Sequence, residues 1–282
     1  MMNTTLTQAL TWATQLLSQL PEATPRLEAE MLLAHALGKE RTHLIAWPDK
    51  ALSPDQEAAF RALVEQRAQG IPVAYLLKER EFWSLPLLVS PDTLIPRPET
   101  ELLVELALAR IPLDAAWRIA DLGTGTGAIA LALASERPRC RLIAIDRSSG
   151  ALAVARANAE RLGIRNIEFL TGDWLAPLHD ETLEMIVSNP PYIAADDPHL
   201  TRGDVRFEPR SALASGPDGL DDIRIIVATA RAHLKSGGAL LIEHGYQQGA
   251  AVVALMQSHG YQRVEDHRDY AGHGRVAAGH KE

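Results

Sequence analysis

The chain has 282 residues, 46% of them hydrophobic, with 28 Lys and Arg against 36 Asp and Glu and a formal charge of −8. That size and composition suit a globular protein of one large domain or two smaller ones, and the acidic balance argues against a protein held to its target mainly by phosphate contacts. The single cysteine, Cys140, excludes an internal disulfide and fits a reducing compartment; no apolar run approaches the roughly 18–20 residues of a membrane span.

The opening stretch, MMNTTLTQALTWATQLL, has no Lys or Arg before Arg26, so it lacks the basic start of a secretory signal and a cytoplasmic protein is expected. Residues 1–70 read as a helical bundle. Leu6, Leu10, Ala13, Leu17 and Leu20 recur at helical spacing. Thr24 and Pro25 then mark a helix start and Gly38 its stop; Ser53, Pro54 and Gln56 form a capping-box pattern for a helix that stops at Gly70. Residues 71–96 change character: EREFWSLPLLVSP carries apolar residues on both sides of a Ser-Leu-Pro break and reads as a hairpin linker.

Residues 97–282 alternate strand-like and helical patterns. RIADLG, CRLIAID, IEFLTGD, LEMIVSNP and GALLIEHG are apolar runs, each followed by a longer, mostly helical segment. The alternation predicts an α/β domain with a mostly parallel sheet, whose ligands bind beyond the carboxyl ends of the strands. The residues just after each apolar run therefore carry the functional reading. Cys140, beside one such run, reads as a packing thiol.

Gly123, Thr124, Gly125, Thr126 and Gly127 lie between the first such strand and an Ala/Leu-rich helix. Glycines permit a tight turn and close approach of a ligand to the backbone, and the helix start offers free N–H groups to an anion. The same spacing fits a dinucleotide fingerprint, so the glycines alone do not choose a cofactor. Asp146 ends the next strand, where a carboxylate accepts hydrogen bonds from two ribose hydroxyls, in a dinucleotide or in S-adenosylmethionine; a helix N-cap is the competing reading. Trp174, after the third run, reads equally as a neighbour of adenine or as a core residue.

The fourth run ends in Asn189, Pro190, Pro191 and Tyr192. Two prolines cannot continue a central strand, so the chain leaves the sheet stiffly. The Asn189 side-chain oxygen and the Pro190 carbonyl then make two fixed acceptors, matching a planar –NH₂ with two hydrogens, while Tyr192 offers a stacking face. Such a nitrogen is a poor nucleophile. Carbonyl dipoles that stabilise the positive charge it develops while taking a methyl from a sulfonium supply what the reaction needs. No strong base is required, because the N-methylated, N-protonated amide loses its proton readily. Hydride transfer has no use for two acceptors, so the ambiguous glycine turn reads as that of a methyltransferase. A simple Pro-Pro strand stop is the competing reading. No metal ligand set is singled out.

On these motifs, together with GIPVAYLLKEREFWSLPLLVSPDTLIPRPETE, FEPRSALASGPDGLDDIR and RDYAGHGRV, the chain resembles the peptide chain release factor glutamine methyltransferases, the PrmC/HemK family, over nearly its whole length. The motif positions nowhere depart from the family pattern. The resemblance implies an N-terminal helical bundle, which would dock the release factor or serve only as a structural cap on the catalytic domain, a hairpin linker, and a seven-stranded Rossmann-like S-adenosylmethionine-dependent methyltransferase domain. It implies methylation of the glutamine side-chain nitrogen in the Gly-Gly-Gln motif of class I release factors; a monomer is expected. Gly123 through Gly127, Asp146 and Trp174 would contact S-adenosylmethionine, with Asn189 close to its methionine part; Asn189 through Tyr192 would hold the glutamine. Arg97 and Glu99 could shape the mouth of the site or only start a helix, and Glu243, ending the fifth run, could meet substrate or a salt-bridge partner. The alternatives are a methyltransferase acting on a ribosomal-protein glutamine, one acting on a nucleic-acid amino group, which would need a basic cleft, and a non-catalytic cofactor-binding module.

Overall fold

The computed structural model describes residues 4–21, 23–179 and 182–282. These fall into two compact units, Met1–Lys78 with Thr201–Phe207, and Glu79–Leu200 with Glu208–Glu282.

The first unit contains α1 (Leu6–Leu17), α2 (Pro25–Leu37), α3 (Arg41–Ala46), α4 (Pro54–Ala68) and α5 (Val73–Leu77). Leu6, Leu10, Leu17, Leu32, Leu33, Phe60 and Val64 make its buried core. Capping boxes start α1 at Thr5 and α4 at Ser53, with Gln8 and Gln56 reaching back. Thr24 precedes α2 but makes no side-chain cap; its N–H donates instead to Glu28 Oε1 at 3.1 Å. The buried Arg67 donates to Glu28 at 2.7 Å and to Asp204 at 2.7 Å. That pairing offsets the cost of burying the guanidinium and ties the segment Thr201–Phe207 to the helices.

The second unit opens with a hairpin of β1 (Glu79–Phe82) and β2 (Leu85–Leu88). Its turn is Trp83-Ser84, with φ of 52° and 57°, rather than the Ser-Leu-Pro break expected from sequence. Two consecutive left-handed residues make the turn type that matches strand twist, and Pro86 sits in a two-stranded ribbon opposite Glu81, where a missing N–H is tolerated. Phe82 and Leu87 are buried with Leu103, Leu131 and Val187. The hairpin is thus built into the second unit's core, and α5 extends the helical unit to residue 77; residues 71–96 do not form a separate linker.

The remaining elements are α6 (Glu101–Arg110), β3 (Arg118–Leu122), α7 (Ala128–Glu136), β4 (Arg141–Asp146), α8 (Ser149–Leu162), β5 (Ile167–Thr171), β6 (Leu183–Ser188), α9 (Asp221–His233), β7 (Leu234–Glu243), α10 (Gly249–Ser258), β8 (Gln262–Arg268) and β9 (Gly274–His280). The seven-stranded sheet has the order β5-β4-β3-β6-β7-β9-β8. The first five strands in that order run parallel, while β9 is antiparallel to both β7 and β8. Both faces are covered. Ile119, Leu142, Met185 and Leu241 pack with α6 and α7, whereas Leu122, Ile143, Ile186 and Leu240 pack with α9 and α10. Burial on both faces explains why these strands read as continuous apolar runs. Cys140 is buried, and that burial pushes its thiol pKa up, as expected of a packing residue.

Replacing Phe82 with Ala removes a fully enclosed ring from this core. We expect a loss of about 3–5 kcal/mol in urea unfolding.

Candidate active site

The strand order places the carboxyl ends of β3, β4 and β6 side by side. Leu122 pairs with Ile145 on one flank and Ser188 on the other. Past β3 the chain stays tied to β4, because Gly123 and Thr124 N–H donate to the Ile145 carbonyl at 2.9 and 3.0 Å. Gly123 then has φ of 71°, and a Cβ there would stand 3.2 Å from the Trp174 ring. Gly125 has φ of 56° with nothing within 4 Å of its Cβ direction. One glycine is therefore needed for an internal fit and the other leaves open space where a ligand could approach the backbone.

Asp146 lies beside this turn. Its Oδ2 accepts Gly125 N–H at 2.9 Å and its Oδ1 accepts Ser148 N–H at 2.8 Å. The cap of α8 is Ser148, whose Oγ accepts Ala151 N–H, so Asp146 is not a helix N-cap. Its carboxylate is held by backbone donors at the cleft wall. Trp174 meets both sequence readings: it packs against the second core cluster and also lines the cleft.

At the end of β6, Ser188 Oγ donates to the Leu122 carbonyl at 2.8 Å. Asn189 follows, and its Nδ2 donates to Thr100 Oγ1 at 3.0 Å. The amide nitrogen is thereby engaged on the protein side. No donor among the described residues makes a hydrogen bond to Asn189 Oδ1 or to the Pro190 carbonyl.

One cleft brings these parts together. Its empty space, open mouth included, is about 950 Å³. Gly123, Thr124, Gly125, Thr126, Asp146, Trp174, Asn189 and Pro191 line it. Gly127, Pro190 and Tyr192 do not. Gly127 is taken up as the left-handed start of α7, and Pro190 is buried. Tyr192 packs against the core, its hydroxyl donates to Glu243 Oε1 at 3.3 Å, and its carbonyl accepts from Gln248 at 3.0 Å. Those anchors remove its ring from the cleft wall, contrary to the stacking role expected for it.

Several wall residues were not singled out from sequence: Asp92, Thr93, Thr100, Arg147 and Ser211. Arg147 was findable as the residue directly after the strand-terminal Asp146. Thr93 and Ser211 come from separate loops and carry no local signal. Arg97 does line the cleft and pairs with the buried Glu208, which also accepts Ile95 N–H at 2.9 Å. This ion pair pins the two loops to each other at the cleft wall.

Two carboxyls behind the cleft are strongly perturbed. Asp121 is buried, accepts from Thr124 Oγ1 at 2.6 Å and Ala130 N–H at 3.2 Å, and keeps Oδ1 without a partner. Burial pushes it up to about 7, against those hydrogen bonds and with help from the nearby Asp146 charge. Burial likewise pushes Glu243 up to about 7, against the pull of the Thr100 and Tyr192 hydroxyls and Arg275. Burial above all, with the Glu243 charge beside it, also raises the Tyr192 phenol.

The donor set suits a nucleoside-bearing cofactor: a clamped carboxylate for ribose hydroxyls, an open glycine turn at a helix start, and an aromatic wall. S-adenosylmethionine is such a molecule, and Gly123 through Thr126, Asp146 and Trp174 would hold it.

Comparison with known proteins agrees with this geometry. Residues 8–77 match the family model described as PrmC N-terminal domain, and residues 98–203 match Methyltransferase small domain. The Release factor glutamine methyltransferase of Salmonella typhimurium is 53% identical over 95% of this chain and 97% of its own length. That of Vibrio cholerae is 52% identical over 99% and 97%. A methyltransferase structure from Pyrococcus furiosus aligns over 78% of this chain and 97% of its own with a TM-score of 0.54 at 18% identity, which shows the shared fold.

The raised Asp121 pKa makes a signed prediction. The folded state holds this proton more tightly than the unfolded chain, so its contribution to stability is full below about pH 4 and is lost as pH rises toward about 7. Asp121→Asn keeps an acceptor for Thr124 and Ala130 but does not ionise. Between pH 5 and pH 8 the difference in unfolding free energy should move in favour of the variant, by on the order of a few kcal/mol in denaturant titrations.

Proposed function

The chain belongs to the release factor glutamine methyltransferases, and on that footing we propose that it methylates the side-chain amide nitrogen of the glutamine in the Gly-Gly-Gln motif of class I peptide chain release factors. When bound, S-adenosylmethionine supplies an activated methyl on a sulfonium. Asp146 and the glycine turn hold the nucleoside end. Asn189 Oδ1 accepts one hydrogen of the glutamine –NH₂ and aims its nitrogen along the line of transfer; the Pro190 carbonyl, flanked in the chain by the lining residues Asn189 and Pro191 and taken by no donor among the described residues, accepts the other. These dipoles would stabilise the positive charge that gathers on the glutamine nitrogen as it takes up the methyl. The product nitrogen then releases a proton to water, so no side-chain base is assigned.

One observation carries this reading. Asn189 meets Thr100 through its nitrogen and lines the cleft, which leaves its oxygen unclaimed by the described residues. A site built for an –NH₂ guest needs that orientation.

The N-terminal helical unit serves as the release-factor docking element. Ile45, Trp47 and Leu27 are 76%, 59% and 41% exposed on it and offer apolar contacts to a protein partner. The enzyme acts as a cytoplasmic monomer, where release factors work; among the described residues no helix is long and apolar enough to cross a membrane.

Mass spectrometry of a class I release factor after reaction should locate one added methyl on the Gly-Gly-Gln glutamine. Methyl appearing on a ribosomal protein or on nucleic acid, with none on release factor, would overturn the substrate. In single-turnover assays Asn189→Ala should slow transfer by about 100-fold or more while S-adenosylmethionine affinity stays near that of the wild type. Asp146→Ala should do the reverse, weakening cofactor affinity about 10-fold or more in calorimetry, in line with loss of a charged hydrogen-bonding group.

A further inference from the structure

Several exposed arginines of this chain each pair with a carboxylate: Arg26, Arg41, Arg61, Arg161 and Arg224. One group does not. Arg139, Arg141 and Arg165 are exposed, and none of their guanidinium groups makes a hydrogen bond or ion pair with a described residue. All three line one open hollow together with Arg118, and Glu168 is the carboxylate on its wall among the described residues. On a chain of formal charge −8 this is a local concentration of positive charge.

The hollow lies at the amino ends of the strands. Arg118 starts β3, Arg141 starts β4, and Arg165 stands just before β5. Arg118 and Arg141 are register partners. Like charges directly opposite on paired strands are unfavourable unless a counter-charge lies between them. Asn166 fixes the frame: its Nδ2 donates to the Ala134 and Cys140 carbonyls at 3.3 and 3.1 Å, and its own carbonyl accepts Leu142 N–H at 2.9 Å. The loops that carry Arg139 and Arg165 are thereby held to each other. The backbone is preorganised while the three guanidinium groups stay open to a ligand.

A guanidinium presents its N–H groups as a planar fork that matches phosphate oxygens. No aromatic side chain among the described residues lines the hollow, so nothing there stacks on a base, and contacts confined to phosphates carry no sequence information. A flexible single strand can bend into a concave surface; a stiff duplex does so only at a cost in bending energy. Asp146, which lines the methyl-transfer cleft, ends the strand that Arg141 starts, about 17 Å away at roughly 3.3 Å per residue. A chain bound in the hollow is therefore not the one that is methylated.

We propose that this hollow binds the phosphodiester backbone of single-stranded RNA, independently of sequence, while the cleft at the opposite edge of the sheet acts on protein. With so few charges the contact is a weak, salt-sensitive tether and not the main source of affinity for the methylated substrate.

The test is fluorescence anisotropy of a labelled single-stranded RNA of mixed sequence, titrated with the full chain at salt concentrations from about 50 mM upward. The wild type should bind with a slope of log affinity on log salt of about −2, as for three phosphate contacts to a single strand. Arg139→Gln/Arg141→Gln/Arg165→Gln should weaken binding about 10-fold or more and bring the slope toward zero. Lysine at the same three places keeps the charge and should keep the slope. Lys39→Gln/Lys50→Gln/Arg263→Gln removes three exposed charges elsewhere and should leave affinity within about 2-fold. Single-turnover methylation of a release factor without RNA should proceed at the wild-type rate in the arginine-to-glutamine variant. No saturable binding by the wild type, or equal loss in the two glutamine variants, overturns the proposal. So does tighter binding of duplex DNA, single-stranded DNA or poly-glutamate than of the RNA. Slowed methylation without RNA also overturns it, because the hollow would then dock protein. If the triple variant does not fold, Arg165→Gln alone should make the slope shallower by about 0.7, and an unchanged slope overturns the assignment.

Discussion

The in-step ending of neighbouring parallel strands is the constraint on which the cleft depends. Leu122 has Ile145 on one side and Ser188 on the other, so the next residues of β3, β4 and β6 emerge at one level of the sheet edge. The Ser188 hydroxyl bonded to the Leu122 carbonyl, and the Gly123 and Thr124 N–H groups bonded to the Ile145 carbonyl, carry that alignment past the last pairs. A slip of one residue would turn Asp146 or Asn189 toward the opposite face, because side chains alternate along a strand. The sheet is buried on both sides, which gives the register its energetic hold.

The second feature of that edge is the cost of its buried acids. Asp121 and Glu243 sit directly behind the glycine turn and the Asn-Pro-Pro-Tyr exit, and burial raises both. Each leaves one oxygen without a hydrogen bond while its other oxygen anchors a hydroxyl, Thr124 in one case and Tyr192 in the other. An apolar residue in either place would pack at lower cost. Acceptors kept there at an energetic cost mark where the structure gives up stability to orient polar groups at the cleft.

Much of the fold was legible in the sequence. The capping boxes at Thr5 and Ser53 are local chemistry within four residues, and the structure realises the Ser53 pattern as read; the parallel strands announced themselves as apolar runs because two layers of helices cover them. The strands β8 and β9 were not separately readable. QRVEDHR has one apolar residue, and as the edge strand it packs little and is mostly exposed, so no periodic pattern is imposed on it. The hairpin was readable but its turn was not, since Trp83 and Ser84 lack the usual turn residues and are held left-handed by the packing of Phe82 and Leu87. The separate linker expected over residues 71–96 gave way to the same packing.

The sequence by itself determined the chemistry on offer: a glycine turn that admits a ligand, a strand-terminal carboxylate, and a proline-stiffened asparagine, each legible because it depends on residues adjacent in the chain. Tertiary structure decided which side chains those groups face. It turned Tyr192 to Glu243 and away from the cleft, brought Thr100 to the Asn189 amide from 89 positions earlier, and pinned Arg97 to Glu208 across 111. Such pairings are set by strand order and by which polar atoms must be satisfied once water is excluded, and no local pattern of residues encodes them.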